Sequence, residues 1–292
     1  MQETFFPEEF IQKYKKYLGK EWPTFFDTIK QKQPKSFWIN TNKSTMGKVV
    51  DSLSKKKVVF KQYDFCRQAF SIDMQKPGDL EEYKKGEIAL QEKAAMLPVV
   101  VLGASKRDFV LDACASPGMK TIQLSNLAGK VIATDVNSER TKSLIHNKFA
   151  YGLRNVEVIR SDFRNLKKVF DKILLDAPCS SEGLVRKRKE ALKGWSQKIV
   201  LQKAKTQKNL IISAFDMLKE KGTLVYSTCS FAQEENEDIV NFLLGKRENA
   251  TVEKVYLPGI KIRENELCKN CVRLYPQDNN TQQFFFAKIK KN

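Results

Sequence analysis

The sequence predicts an α/β fold built on a mostly parallel sheet, on two observations. From residue 107 onward, short apolar runs alternate with segments long enough for helices, and an acid or a cysteine stands at or just after the end of most runs. Strands alternating with helices imply a parallel sheet covered on both faces. Ahead of this pattern, residues 1–85 read as helical segments followed by short strands, a small α/β module.

The elements follow in order. FPEEFIQKYKKYLG carries Phe10, Tyr14 and Tyr17 at helical spacing behind Pro7. SFWIN (36–40) and VVFKQ (58–62) read as strands, with a short helix in STMGKVVDSLSKK between them. QKPGDLEEYKKGE (75–87) holds Pro77, Gly78 and Gly86 and reads as the linker, so the boundary is drawn between 1–85 and 86–292. RDFVLDA, KVIATD, NVEVI, DKILLDA and GTLVYST then supply five core strands. SERTKSLIHNKFAYGL and QKIVLQKAKTQKNLIISAFDMLK supply helices, and TVEKVYLPG with QQFFFAKIKK reads as a final antiparallel pair. No internal repeat or low-complexity tract interrupts the order.

Composition narrows the partners. Lys and Arg total 52 against 34 Asp and Glu, a net charge of +18, which favours a polyanion. Lysine enrichment from heat adaptation would bring matching Glu, and here it does not. No run of about 18 apolar residues exists, so no membrane span is expected. The opening MQETFFPEEFIQKYKKY has no apolar signal core, so a cytoplasmic protein is expected. Six cysteines are too few to build a scaffold of this length. His146 is the only histidine, which disfavours a Ser-His-Asp triad or a Cys2His2 zinc site. Cys268 and Cys271 form C-x-x-C with no second pair. They read as structural thiols first, a disulfide or redox pair second, a metal site last. The basic stretch VRKRKEALKGW (185–195) reads equally as a solvated face or an RNA-backbone contact.

The chemistry gathers at the strand ends, where ligands of such sheets bind. DACASPGMKT (112–121) is a small-residue loop opening a helix, and its Gly118 lets backbone approach a ligand. It lacks both the Walker and the G-x-G-x-x-G spacings. Asp135 stands where a ribose-binding acid would stand, and Asp162 where an acid could meet an adenine amino group. Any one of these acids alone reads as a turn residue; Asp112, Asp135 and Asp162 together with the loop read as a nucleoside site. DAPCSSEG places Cys179 after the fourth strand, and STCSF places Cys229 after the fifth. One strand-end cysteine is ordinarily packing. Two on neighbouring ends, among small and hydroxyl residues, suggest a nucleophile and a helper.

DAPCS and STCSF, preceded by DACASPGMKT, resemble the NSUN/RsmB (Nop2/Sun) family of RNA cytosine-carbon-5 methyltransferases over residues 86–290, most of all its compact archaeal tRNA-type members. The resemblance implies a Rossmann-like class I domain with a seven-stranded sheet and a small N-terminal α/β RNA-binding domain. It implies S-adenosylmethionine as cofactor, no metal, and Cys229 as the nucleophile that attacks carbon 6 of cytosine. By the same resemblance Cys179 helps release the product, Asp176 hydrogen-bonds the base, and Lys120 lies beside base and nucleophile. Cys114, Ala115, Ser116, Pro117, Gly118, Met119 and Lys120, with Asp135, Arg140, Asp162 and Asp176, would hold the cofactor. Cys114 would be a buried loop residue without reactivity of its own. The chain departs from the family's habit at Met119, Trp38, Gln277 and Gln283. The substrate implied is RNA, tRNA ahead of rRNA, with a monomeric enzyme favoured. A non-catalytic RNA-binding or assembly factor on the same scaffold is the alternative. A methyltransferase for an exocyclic amine would want a different fourth-strand motif.

Overall fold

The computed structural model describes residues 6–292; MQETF, the start of the opening segment, lies outside the described residues. Two helices lead, α1 (Glu8–Leu18) and α2 (Trp22–Lys30). Their apolar faces do not cover the small sheet that follows. Phe10, Tyr14, Phe25 and Ile29 pack against Val185, Leu192, Trp195 and Phe231 of the large unit. The small unit then comprises β1 (Lys35–Ile39), α3 (Met46–Lys55), β2 (Val59–Gln62), β3 (Ala69–Asp73), the short α4 (Glu81–Lys84) and β4 (Ile88–Leu90). Its sheet runs β2-β3-β1-β4, antiparallel throughout. β4 lies past Gly86, so this sheet is completed only at Leu90.

The large unit opens with α5 (Lys93–Leu102), whose first turn is capped by the Glu92 carboxylate, accepting from the Ala94 and Ala95 amides. The alternation expected from the sequence follows: β5 (Phe109–Asp112), α6 (Met119–Leu127), β6 (Lys130–Thr134), α7 (Ser138–Ala150), β7 (Val156–Ile159), β8 (Phe170–Asp176), α8 (Gln197–Asp216) and β9 (Leu218–Thr228). The chain closes with α9 (Glu237–Leu244), β10 (Ala250–Glu253), β11 (Val272–Leu274), α10 (Pro276–Asn279) and β12 (Phe284–Lys291). The sheet order is β10-β12-β9-β8-β5-β6-β7, with β11 paired off that path to β12. β5 to β9 are mutually parallel, and the last three strands pair antiparallel. The path has the expected seven strands; β11 adds an eighth that three residues were too few to announce.

Side chains alternate between the two faces, as a pleated strand requires. On β5, Val110 joins the core beneath α5 and α6, while Leu111 joins the core beneath α8 and α9. Strand order reverses between β5 and β8, since β6 and β7 lie to one side and β9 to the other. A crevice beyond the carboxyl ends is expected at such a reversal.

Two sequence expectations are corrected. Cys268 and Cys271 are not separate thiols but a disulfide, with Cα atoms 5.5 Å apart. The turn between them, with Asn270 in the left-handed region, brings the two together. Arg186, within the basic stretch, faces neither solvent nor an RNA backbone. It is buried and donates to the carbonyls of Gln31, Lys32 and Thr281, tying α2 and the last strands to the Cys179 segment. No helix among the described residues is long and apolar enough to cross a membrane.

Candidate active site

The site lies at the β5/β8 reversal. After β5 the backbone rises through Ala113–Gly118, held by Ala113 N–H to the Leu174 carbonyl and Ala115 N–H to the Thr134 carbonyl, both 2.9 Å. Gly118 turns into α6 with φ 106°, a value costly for any side chain, and a Cβ there would stand 2.8 Å from Leu144 Cδ1. Asp112 is buried beneath the loop; Oδ2 accepts from Thr121 Oγ1 at 2.7 Å, and Oδ1 has no partner. Burial pushes its carboxyl up to about 7.

Asp135, at the end of β6, is buried. It accepts from the Ser116 amide at 3.2 Å and the Asn137 amide at 3.0 Å. Arg140 reaches back from α7, donating to the Ser116 carbonyl at 2.7 Å, with Asp135 Oδ2 at 3.4 Å. Loop, Asp135 and Arg140 therefore form one unit. Asp162 is more committed than expected: Arg164 forks its carboxylate at 2.6–3.0 Å and draws its pKa below the ordinary value. Burial, reinforced by the charges of Asp135 and Asp112, pushes the Cys114 thiol well up, which keeps it protonated.

The remaining residues meet beyond the carboxyl ends of β5, β8 and β9. Lys120, in the first turn of α6, donates to Asp176 Oδ2 at 2.7 Å, and Asp176 Oδ1 accepts from Ser227 Oγ at 2.7 Å. Burial opposes the charge on Lys120. Asp176, then Cys229 and Asp112, outweigh it and hold the ammonium above its ordinary pKa. Just beyond, Cys179 Sγ and Cys229 Sγ stand 3.2 Å apart. That contact, then burial, raises the Cys179 pKa, so Cys179 keeps its proton and can donate it toward Cys229. Gly183 donates to the Cys229 carbonyl at 2.7 Å and locks the two turns together.

Several participants carried no sequence signal of their own. Ser227 lay within the quoted STCSF, and Glu182 within DAPCSSEG, without an assigned role. Glu182, Glu235, Tyr14 and Trp195 form a buried polar layer behind the thiols. The residues fit the adenosyl cofactor implied above. The acid at the second strand end and the buried, unpartnered Ser116 hydroxyl are polar groups that such a ligand can meet.

A family model, the 16S rRNA methyltransferase RsmB/F, matches residues 99–290, and the N-terminal domain of 16S rRNA methyltransferase RsmF matches residues 6–93. The tRNA (cytosine(49)-C(5))-methyltransferase of Pyrococcus abyssi is 39% identical over 73% of this chain and 73% of its own length. The ribosomal RNA small subunit methyltransferase F of Psychromonas ingrahamii is 37% identical over 87% of this chain but only 56% of its own length. The chain thus spans little more than half of that longer relative. A methyltransferase homolog from Pyrococcus horikoshii superposes with a TM-score of 0.81 at 28% identity, covering 94% of this chain and 92% of the other. With the thiol pair at the β8 and β9 ends and these matches along its length, the chain belongs to the RsmB/F family of RNA methyltransferases.

Proposed function

We propose that this chain methylates carbon 5 of a cytosine in RNA through a covalent adduct on Cys229. One observation carries the reading: two thiols 3.2 Å apart at neighbouring strand ends, flanked by the Lys120–Asp176 pair. Cytosine carbon 5 is too poor a nucleophile to accept a methyl group unaided, and thiolate addition at carbon 6 makes it electron-rich. The Lys120 ammonium holds Asp176 in place beside the thiols, and Asp176 would accept a hydrogen bond from the protonated ring of the adduct. After transfer a water molecule takes the carbon-5 proton, the carbon-6–sulfur bond breaks, and the departing Cys229 sulfur keeps the electron pair, with Cys179 3.2 Å away to donate toward it. S-adenosylmethionine, when bound, supplies the electrophilic methyl group. The loop Cys114–Lys120, with Asp135 and Arg140, would hold it. Asp162 would have to share its carboxylate with Arg164. The cytosine must leave its stack to meet both sulfurs from one side. We assign residues 1–85, the leading helices and most of the small sheet, to RNA contact.

tRNA is the first substrate to test, in line with the Pyrococcus abyssi relative. Small-subunit rRNA is the second reading, favoured by the match of residues 6–93 to the RsmF N-terminal domain. Incubation with labelled S-adenosylmethionine and either RNA, followed by nucleoside mass spectrometry and a denaturing gel, tests both. Wild type should form 5-methylcytidine, Cys229→Ala none, and Cys179→Ala an accumulating RNA–protein adduct. RNA binding without methylation of either pool would favour the non-catalytic alternative.

A further inference from the structure

The two sulfur-bearing turns rest on two carboxylates that the chemistry above does not use. Glu182 and Glu235 are both 0% exposed. Glu182 belongs to the Cys179 turn yet reaches the other one: Oε2 accepts from the Phe231 amide, just past Cys229, at 2.8 Å. Glu235 follows Cys229 and reaches the opposite way: Oε2 accepts from the Ser180 amide, next to Cys179, at 2.9 Å. Each turn is thus held by a carboxylate from the other's segment. Ser230 Oγ sits between them, 2.9 Å from Glu235 Oε1, 3.2 Å from Glu182 Oε2 and 3.1 Å from Ser180 Oγ.

A buried carboxylate persists only where donors meet its lone pairs. Glu235 takes a further donor from Gln207 of α8 at 2.9 Å. Two donors to Glu182 come from outside both turns. Trp195 Nε1 lies 2.6 Å from Oε1, and the Tyr14 hydroxyl of α1 lies 2.8 Å from either oxygen. Tyr14 is itself buried, in the cluster that seats α1 on the large unit.

We propose that Glu182 and Glu235 are positioning residues that set the separation of the Cys179 and Cys229 thiols, and that Tyr14 makes this setting depend on the seating of the N-terminal helix. The kinetic consequence rests on the cytosine-methylation reading; the geometric one does not. A sulfur–sulfur contact of this length is lost with a shift of order 1 Å, and displacement on that scale can cost about a hundredfold in rate.

The test uses the full chain as wild type, Tyr14→Phe, Glu235→Gln and Glu182→Gln, with two readouts. The first is bridging of the thiol pair by dibromobimane, which fluoresces on joining two close thiols and needs neither RNA nor methyl donor. Cys179→Ser gives the background from Cys66 and Cys114. The second is kcat and KM for RNA methylation, beside thermal unfolding. Tyr14→Phe and Glu235→Gln should each slow bridging and lower kcat about tenfold, with KM for RNA within about twofold and folding retained. Glu182→Gln, which turns an amide donor toward a backbone donor, should lose more; if it fails to fold, the other two variants decide. Wild-type bridging and wild-type kcat in both Tyr14→Phe and Glu235→Gln would overturn the proposal. Slow bridging in the variants of a protein that methylates no RNA would uphold the positioning and sink only the methylation reading.

Discussion

Lys120 and Asp176 are each intelligible only through the other. Lys120 is 13% exposed, where an unpaired ammonium would be unfavourable, and Asp176 stands 2.7 Å away. Asp176→Asn keeps the shape and removes the counter-charge. It should lower kcat about a hundredfold or more, with little change in RNA affinity, measured by initial rates of 5-methylcytidine formation. Asp112 predicts a pH dependence of stability rather than of rate. Its folded pKa of about 7 lies above the ordinary aspartate value of about 3.9. Between those values the unfolded chain gives up the proton while the folded chain keeps it, so stability falls as pH rises through that window. Asp112→Asn removes this dependence. Relative to wild type it should gain up to about 4 kcal/mol between pH ~4 and pH ~8, read from denaturant midpoints at both pH values.

At the scale of elements, the close approach of two turns shapes the site more than any strand does. A Cβ on Gly183 would stand 2.5 Å from the Cys229 carbonyl oxygen and closer still to that of Gln283. Both are backbone atoms, so neither can swing aside. Gly183→Ala should therefore part the turns, costing about 1–3 kcal/mol of stability and about a hundredfold in methylation, with melting and rate measured together. The contact between the two sheets is similarly local. Trp38 is buried at the junction and donates to Asn126 Oδ1 of α6 at 2.9 Å. Asn126 in turn donates to Asn40 Oδ1 at 2.9 Å, and Asn40 donates to the Gly86 and Tyr151 carbonyls. Trp38→Phe should cost about 1–3 kcal/mol in thermal or denaturant unfolding, since it leaves the buried Asn126 Oδ1 only the longer 3.4 Å bond from the Thr41 amide. Trp38 is thus a structural joint between the two units.

Over the whole molecule, net charge and sheet order act together. The excess of 18 positive charges favours a polyanionic partner, while the β5/β8 reversal gathers the candidate site at the carboxyl ends of the strands. Binding carried by phosphate contacts is expected to be salt-sensitive. With about four such contacts, RNA affinity should fall about a hundredfold between ~50 and ~200 mM salt, measured by filter binding or fluorescence anisotropy. A slope near zero would mean that the positive charge serves something other than RNA.

The core strands, their alternation with helices, the two cysteine turns and the loop at 112–121 were legible in the sequence. Each is written locally, in periodicity or in residues next to one another in the chain. The disulfide, the strands β3 and β4 of the small sheet and β11 were not, because short strands and a lone C-x-x-C carry too little local pattern. The packing of α1 on Trp195 and Phe231, the burial of Arg186 among carbonyls and the carboxylates laced behind the thiols join residues up to 217 positions apart, as Tyr14 and Phe231 are. Local pattern determined which residues could do the chemistry. Only the tertiary structure decided that Cys179 and Cys229 meet at 3.2 Å and what holds them there, because that separation is set by hydrogen bonds between distant segments and by the absence of a Cβ at Gly183.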